Sequence, residues 1–132
     1  GRNADRVRAL AKMCGGEAIL ADQMTGRYFD VLVHATPLGM WPNVDSCYFD
    51  GDVPADVVFD LVYTPRETEL LKRSAAQGKT IIQGLEMFLE QAARQFQLFT
   101  GENAPRAAME RAAIEALSEQ KAATDHYERQ GC

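Results

Sequence analysis

Asp56-Val57-Val58-Phe59-Asp60-Leu61-Val62 runs directly into Tyr63-Thr64-Pro65-Arg66-Glu67, and the reading of this junction decides the fold class. The mostly apolar run after Pro54 has the length and composition of a strand buried on both faces, as in parallel sheets. The next residues spell a helix start. Thr64 is placed to cap the amide of Glu67, Glu67 to reach back to Thr64, and Pro65 to fill the first helical position, where its missing donor does no harm. Leu70, Leu71, Ser74 and Ala75 then supply one buried helical face and Gly78 the stop, after which Lys79-Thr80-Ile81-Ile82-Gln83 reads as another strand. Strand, helix, strand in this order is a βαβ unit with parallel strands.

Upstream the alternation continues. Phe29 to Ala35 reads as a strand whose Val31-Leu32-Val33 run implies burial on both faces, and Glu17-Ala18-Ile19-Leu20-Ala21 as one more. Before it, Asn3 caps a short amphipathic helix with Val7, Leu10, Ala11 and Cys14 on one face, closed by Gly15-Gly16. Between Thr36 and Pro54 the prolines, glycines and short polar residues leave a long loop, a place where function often resides. Downstream, Gly84 breaks the last strand. Leu85, Phe88, Leu89, Ala92, Phe96 and Phe99 follow at helical spacing. Asn103 and Pro105 open a final helix with a thinner stripe of Met109, Ala112, Ala113, Ala116 and Leu117, polar and frayed from Lys121 onward. Residues 1–132 read as one unit without repeat or linker: an α/β, doubly wound parallel sheet with C-terminal helices, whose ligands belong at the carboxyl ends of its strands.

Composition narrows the function. With 46% hydrophobic and 25% charged residues the chain is an ordinary globular one, and its formal charge of -5 is the wrong sign for broad attraction to a phosphate backbone. Nucleic acid is therefore not an expected partner. No apolar run approaches the roughly 20 residues that span a bilayer, and the amino terminus lacks the apolar stretch of a secretory signal, so no membrane is expected and the cytoplasm is the expected location. Cys14, Cys47 and Cys132 are scattered and read as reduced thiols; with His34 and His126 they give no zinc-ligand spacing, and no metal is expected.

The three expected strand ends carry Ala35-Thr36-Pro37-Leu38-Gly39-Met40, Asp60-Leu61-Val62-Tyr63-Thr64-Pro65 and Gln83-Gly84-Leu85-Glu86-Met87. Gly39 and Gly84 permit close approach of backbone, while Tyr63 and Gln91 offer neutral hydrogen-bonding groups suited to a polyhydroxylated molecule. Singly each has a plainer reading: Tyr63 as a half-buried strand-end tyrosine, Met87 as core filler, Gly84 as a strand terminator. Together, in this order and spacing, they resemble the shikimate dehydrogenase family. The first is similar to its Asn-Ala-Thr-x-x-Gly-Met segment, and the second to its Asp-x-x-Tyr-x-Pro-x-x-Thr segment, ending at Thr68. The third is similar to its Gly-x-x-Met-x-x-x-Gln segment, here Gly84, Met87 and Gln91, followed by Gln95-Phe96 and Phe99-Thr100-Gly101. The likeness covers about residues 1 to 120.

The resemblance implies the C-terminal part of an NADP-binding, Rossmann-like domain from an oxidoreductase of aromatic amino-acid (chorismate) biosynthesis. Such an enzyme transfers a hydride from NADPH to the carbonyl of 3-dehydroshikimate, giving shikimate. By that likeness Tyr63 and Gln91 contact the substrate, and Thr36, Leu61, Gly84 and Met87 line the nicotinamide half of the cofactor site. Gly1-Arg2-Asn3 with Arg6 is similar to the family's adenine-side Asn-Arg-Thr segment, which puts Arg2 and Arg6 against the 2'-phosphate; a planar donor fork suits a phosphate dianion. Their plainer reading is a solvated helix start.

Two departures stand out. His34 occupies the place of the family's usual Asn and either satisfies the same hydrogen bonds or only fills the strand end, the second being the preferred reading; a general-base role needs an orienting partner, and the sequence names none. No Gly-x-Gly-x-x-Gly loop is present either. The first strand, that loop and the substrate domain with its proton-transferring Lys and Asp are not in the sequence, so no catalytic residue is assigned and the chain alone is expected to be inactive. A sheet without its first strand leaves backbone groups unpaired, each costing on the order of 1–3 kcal/mol, which points to a homodimer, a rearranged sheet or a longer chain upstream. Some relatives of the family carry a fused dehydroquinate dehydratase, and the sequence does not say whether one precedes Gly1. The alternatives in function are a quinate/shikimate dehydrogenase of broader specificity and a non-catalytic binding or assembly module.

Overall fold

The computed structural model of the protein describes residues 3–20, 23, 24 and 26–130, and side chains as far as 119. The elements run α1 (Ala4–Cys14), β1 (Phe29–His34), β2 (Ala55–Asp60), α2 (Glu69–Ala76), β3 (Thr80–Ile82), α3 (Gly84–Thr100) and α4 (Arg106–Gln130). The strands form one parallel sheet in the order β1-β2-β3, with Leu32, Val58 and Ile81 in register across it. The expected α/β class and parallel pairing are present. No helix among the described residues is long and apolar enough to cross a membrane.

The core lies between the sheet and α2. Val53, Ala55, Val58, Leu70 and Leu71 are buried there, with Phe29, Leu32, Cys47, Phe49 and Ile81 packed around them. Leu70, Leu71 and Ser74 are the buried face of α2, as their spacing predicts, but Ala75 is exposed. The long loop is irregular and structured by specific bonds. Arg73 donates to the Phe49 carbonyl (2.7 Å), and the Gln77 side chain accepts from the Val53 amide (2.9 Å), so the loop is tied beneath α2. At the opposite, amino-terminal edge of the sheet, Lys79 donates to the Tyr28 hydroxyl (2.7 Å), which donates to Asp56 (2.9 Å).

Several expectations are corrected. Glu17 to Leu20 form no strand, and Ala21 lies outside the described residues; Leu20 instead closes a local turn, its amide bonding the Gln23 side chain (3.0 Å). A strand persists only through ladder bonds to a neighbour, and turn bonds have taken that place. Residues Val31 and Val33 are 53% and 54% exposed, so β1 is covered on one face only. The helix after β2 starts later than expected. Thr68, in extended conformation, is the cap of α2 and accepts from the Leu71 amide, whereas Thr64 and Pro65 stay in the irregular strand-end segment, where the Thr64 carbonyl accepts from Trp41. Only Thr68 is placed to cap and bond Asp60 at once.

Helix α1 has the expected ends: Asn3 accepts from the Arg6 amide (3.0 Å), and Gly15 adopts the left-handed conformation with φ 67°. It buries no residue fully, however: Val7 and Ala11 are half-buried, while Leu10 and Cys14 are exposed. In α3, Leu85 and Ala93 are buried and Phe96 half-buried while Phe99 is 86% exposed, so the wide stripe is covered as far as Phe96 and not at its end. Helix α4 is joined to α3 by an Arg106–Glu90 ion pair. Its Met109, Ala113 and Leu117 are half-buried whereas Ala112 and Ala116 are exposed, and its backbone is helical through Gln130, past the expected fraying point.

Candidate functional site

Parallel pairing puts the ends of β1, β2 and β3 on the same edge of the sheet, so the three unusual stretches are neighbours. The Leu61 amide donates to the His34 carbonyl (3.0 Å), joining the first two, and Arg66 donates to the Gln83 side chain (3.0 Å), joining the second and third. The third closes on the second at Gly84. A side chain there would begin 2.6 Å from the carbonyl oxygens of Leu61 and Val62, which no other residue fits without displacing backbone. Gly84 therefore has a packing reason independent of any ligand.

Of the residues singled out in the sequence, Thr36, Tyr63 and Gln91 are exposed, and Leu61 and Met87 are half-buried. Tyr63 stacks on Phe88 with ring centroids 5.2 Å apart, which orients its ring while leaving it 39% exposed. Met87 and Gln91 are one turn apart and share a face of α3. Arg6 lies in the first turn of α1, and Arg2 lies outside the described residues. A polar groove lined by Glu90, Arg94, Asn103 and Arg106 lies between α3 and α4 and includes none of these residues.

Beneath the strand ends sits a buried polar cluster that the sequence did not announce. Asp60 has no exposed surface, yet its carboxylate is fully engaged. One oxygen takes hydrogen bonds from His34 Nδ1 (2.9 Å) and the Val62 amide (3.0 Å), the other from the Thr68 hydroxyl (2.5 Å). His34 in turn reaches Thr36 Oγ1 through Nε2 at 2.6 Å. Burial by itself raises the Asp60 pKa; the bonds from His34, Thr68 and Val62 outweigh it and hold the carboxyl below its ordinary range. His34 is thus no passive filler, and the orienting partner that the sequence could not name is Asp60. The signal was present in the pairing register, His34 opposite Asp60, which only the sheet reveals.

Residues 84–114 match the model of the shikimate 5'-dehydrogenase C-terminal domain. By these matches the chain is similar to the C-terminal portion of the shikimate dehydrogenases. It is 42% identical over 90 residues to a shikimate dehydrogenase (NADP(+)) of Moorella thermoacetica, covering 67% of this chain and 30% of that protein. It is 37% identical over 110 residues to the chloroplastic bifunctional 3-dehydroquinate dehydratase/shikimate dehydrogenase of Arabidopsis thaliana, covering 80% and 18% respectively. Among solved structures, shikimate 5-dehydrogenase of Thermus thermophilus, in complex with NADP(H) and shikimate, superposes with a TM-score of 0.74 at 30% identity, covering 87% of this chain and 44% of that one. The family's Rossmann-like fold is accordingly that of this chain, which spans less than half the length of these relatives.

Proposed function

We propose that the chain provides the cofactor-side half of a site for NADPH-dependent reduction of 3-dehydroshikimate to shikimate. The observation that carries this reading is the meeting of three family-like segments at one edge of a parallel sheet, where doubly wound folds bind ligands. Residues 1–132 are then the C-terminal part of an NADP-binding domain, and the cytoplasm is the compartment we assign.

The residues present fit the nicotinamide half of such a cofactor. Leu61 and Met87 offer apolar surface and Thr36 a polar tip, while Gly84 lets the third strand end close on the second. Arg6 and Arg2 are assigned to the 2'-phosphate, and Tyr63 and Gln91 to the hydroxyl groups of the substrate. The bound cofactor supplies a hydride; this chain's residues orient it and the substrate, and no proton-transferring residue is assigned among them. For the outer edge of β1 we propose cover by a second copy of the chain or by an upstream segment.

Calorimetric titration with NADP tests this. Saturable binding that weakens on Arg2→Ala or Arg6→Ala is expected; absence of binding would leave a scaffold or assembly module in its place. For an enzyme containing this chain together with a substrate domain, activity on quinate with NAD equal to that on shikimate with NADP would replace the assignment by a broader quinate/shikimate dehydrogenase.

A further inference from the structure

We propose that His34 is a positioning residue that, held by Asp60, fixes the direction of the Thr36 hydroxyl hydrogen, so that this strand end presents a ligand with an acceptor and accepts only a hydrogen-bond donor. The first part stands on the buried cluster alone. The second rests on the reading above that Thr36 faces the bound ligand.

An ionised carboxylate has acceptors and no donor, and Asp60 is surrounded by the Val62 N–H, the Thr68 O–H and His34 Nδ1. Nδ1 must therefore carry a hydrogen. In a neutral imidazole the other nitrogen, Nε2, is then an acceptor. Thr36 Oγ1 lies 2.6 Å from Nε2, so in the neutral ring that the proposal requires its hydrogen is directed inward to that nitrogen. Oγ1 also accepts from the Leu38 amide at 3.3 Å. Of the hydroxyl's three hydrogen-bonding directions two are filled, and the third is a lone pair. Turning the hydrogen outward would set two lone pairs against each other at 2.6 Å. A ligand N–H or O–H meets the free lone pair favourably, whereas a carbonyl or phosphate oxygen meets repulsion.

Labelling histidine with nitrogen-15 in the full chain and recording long-range proton–nitrogen correlations at neutral pH reads the imidazole directly. The expected spectrum has His34 as a single neutral tautomer with Nδ1 protonated and Nε2 bare, assigned against His126 by its loss in His34→Asn. The Nε2-protonated form, the doubly protonated imidazolium, or averaged signals from a freely exchanging ring would overturn the proposal, and this readout needs no ligand. For the ligand half, Thr36→Val is expected to weaken NADP binding roughly fivefold, the worth of one hydrogen bond, and Thr36→Ser to restore it. The expected tautomer with unchanged binding in Thr36→Val removes the ligand half alone. Failure of the unmodified chain to bind NADP instead removes the functional reading and leaves the His34 spectrum as an independent result.

Discussion

Asp60 shows how a single residue carries consequences for strand, helix and site at once. Its carboxylate takes three donors from three segments, so Asp60→Ala leaves those donors buried without an acceptor and is expected to cost about 3 kcal/mol, read from urea denaturation midpoints. The pH dependence follows from the lowered pKa. The folded state binds this proton less readily than the unfolded chain, so the stabilisation is present above the ordinary aspartate range near about 4 and is lost as pH falls through the lower native value. The stability gap between the natural chain and Asp60→Asn is therefore expected to narrow between pH 7 and pH 3; a constant gap would contradict it. Gly84 is the second residue with a sharp consequence. Gly84→Ala must push α3 from the end of β2 and is expected to destabilise by about 1–3 kcal/mol in thermal melts, an effect that a glycine serving only as a strand terminator would not show.

At the scale of elements, α2 depends on one threonine in two directions. Thr68 accepts from the Leu71 amide and donates to Asp60, so Thr68→Val is expected to cost about 2 kcal/mol and speed exchange of the Leu71 amide, with Thr68→Ser close to the natural chain. The sequence made the existence of α2 legible through its Leu70, Leu71 and Ser74 face, yet it placed the start at Thr64. Both Thr64 and Thr68 satisfy the local rules of capping, and the choice fell to Asp60, distant in the local pattern but adjacent in space. The ends of α1 were readable for the opposite reason: Asn3 and Gly15 bond only within their own helix. Glu17 to Leu20 failed as a strand because apolar composition supplies a preference, while strand structure requires a neighbour.

For the molecule as a whole, the exposed face of β1 is the salient surface. Val31 and Val33 project from an edge strand whose only partner among the described residues is β2, and such an edge is a template for association. Replacing both by Lys is expected to change stability within about 0.5 kcal/mol, since both are largely exposed, and to reduce concentration-dependent association seen by light scattering. An unchanged association would assign any self-contact to another surface.

What the sequence determined alone was local: the alternation of strands and helices from Phe29 onward, the caps of α1, the long loop and the three glycine- and proline-marked strand ends, because apolar period and turn chemistry act within a few residues. The tertiary structure decided which of two threonines caps α2, which face of β1 is covered and what stands behind His34. Those outcomes depend on register between segments separated by tens of residues, and His34 meets Asp60 only because two parallel strands pair in one alignment out of several.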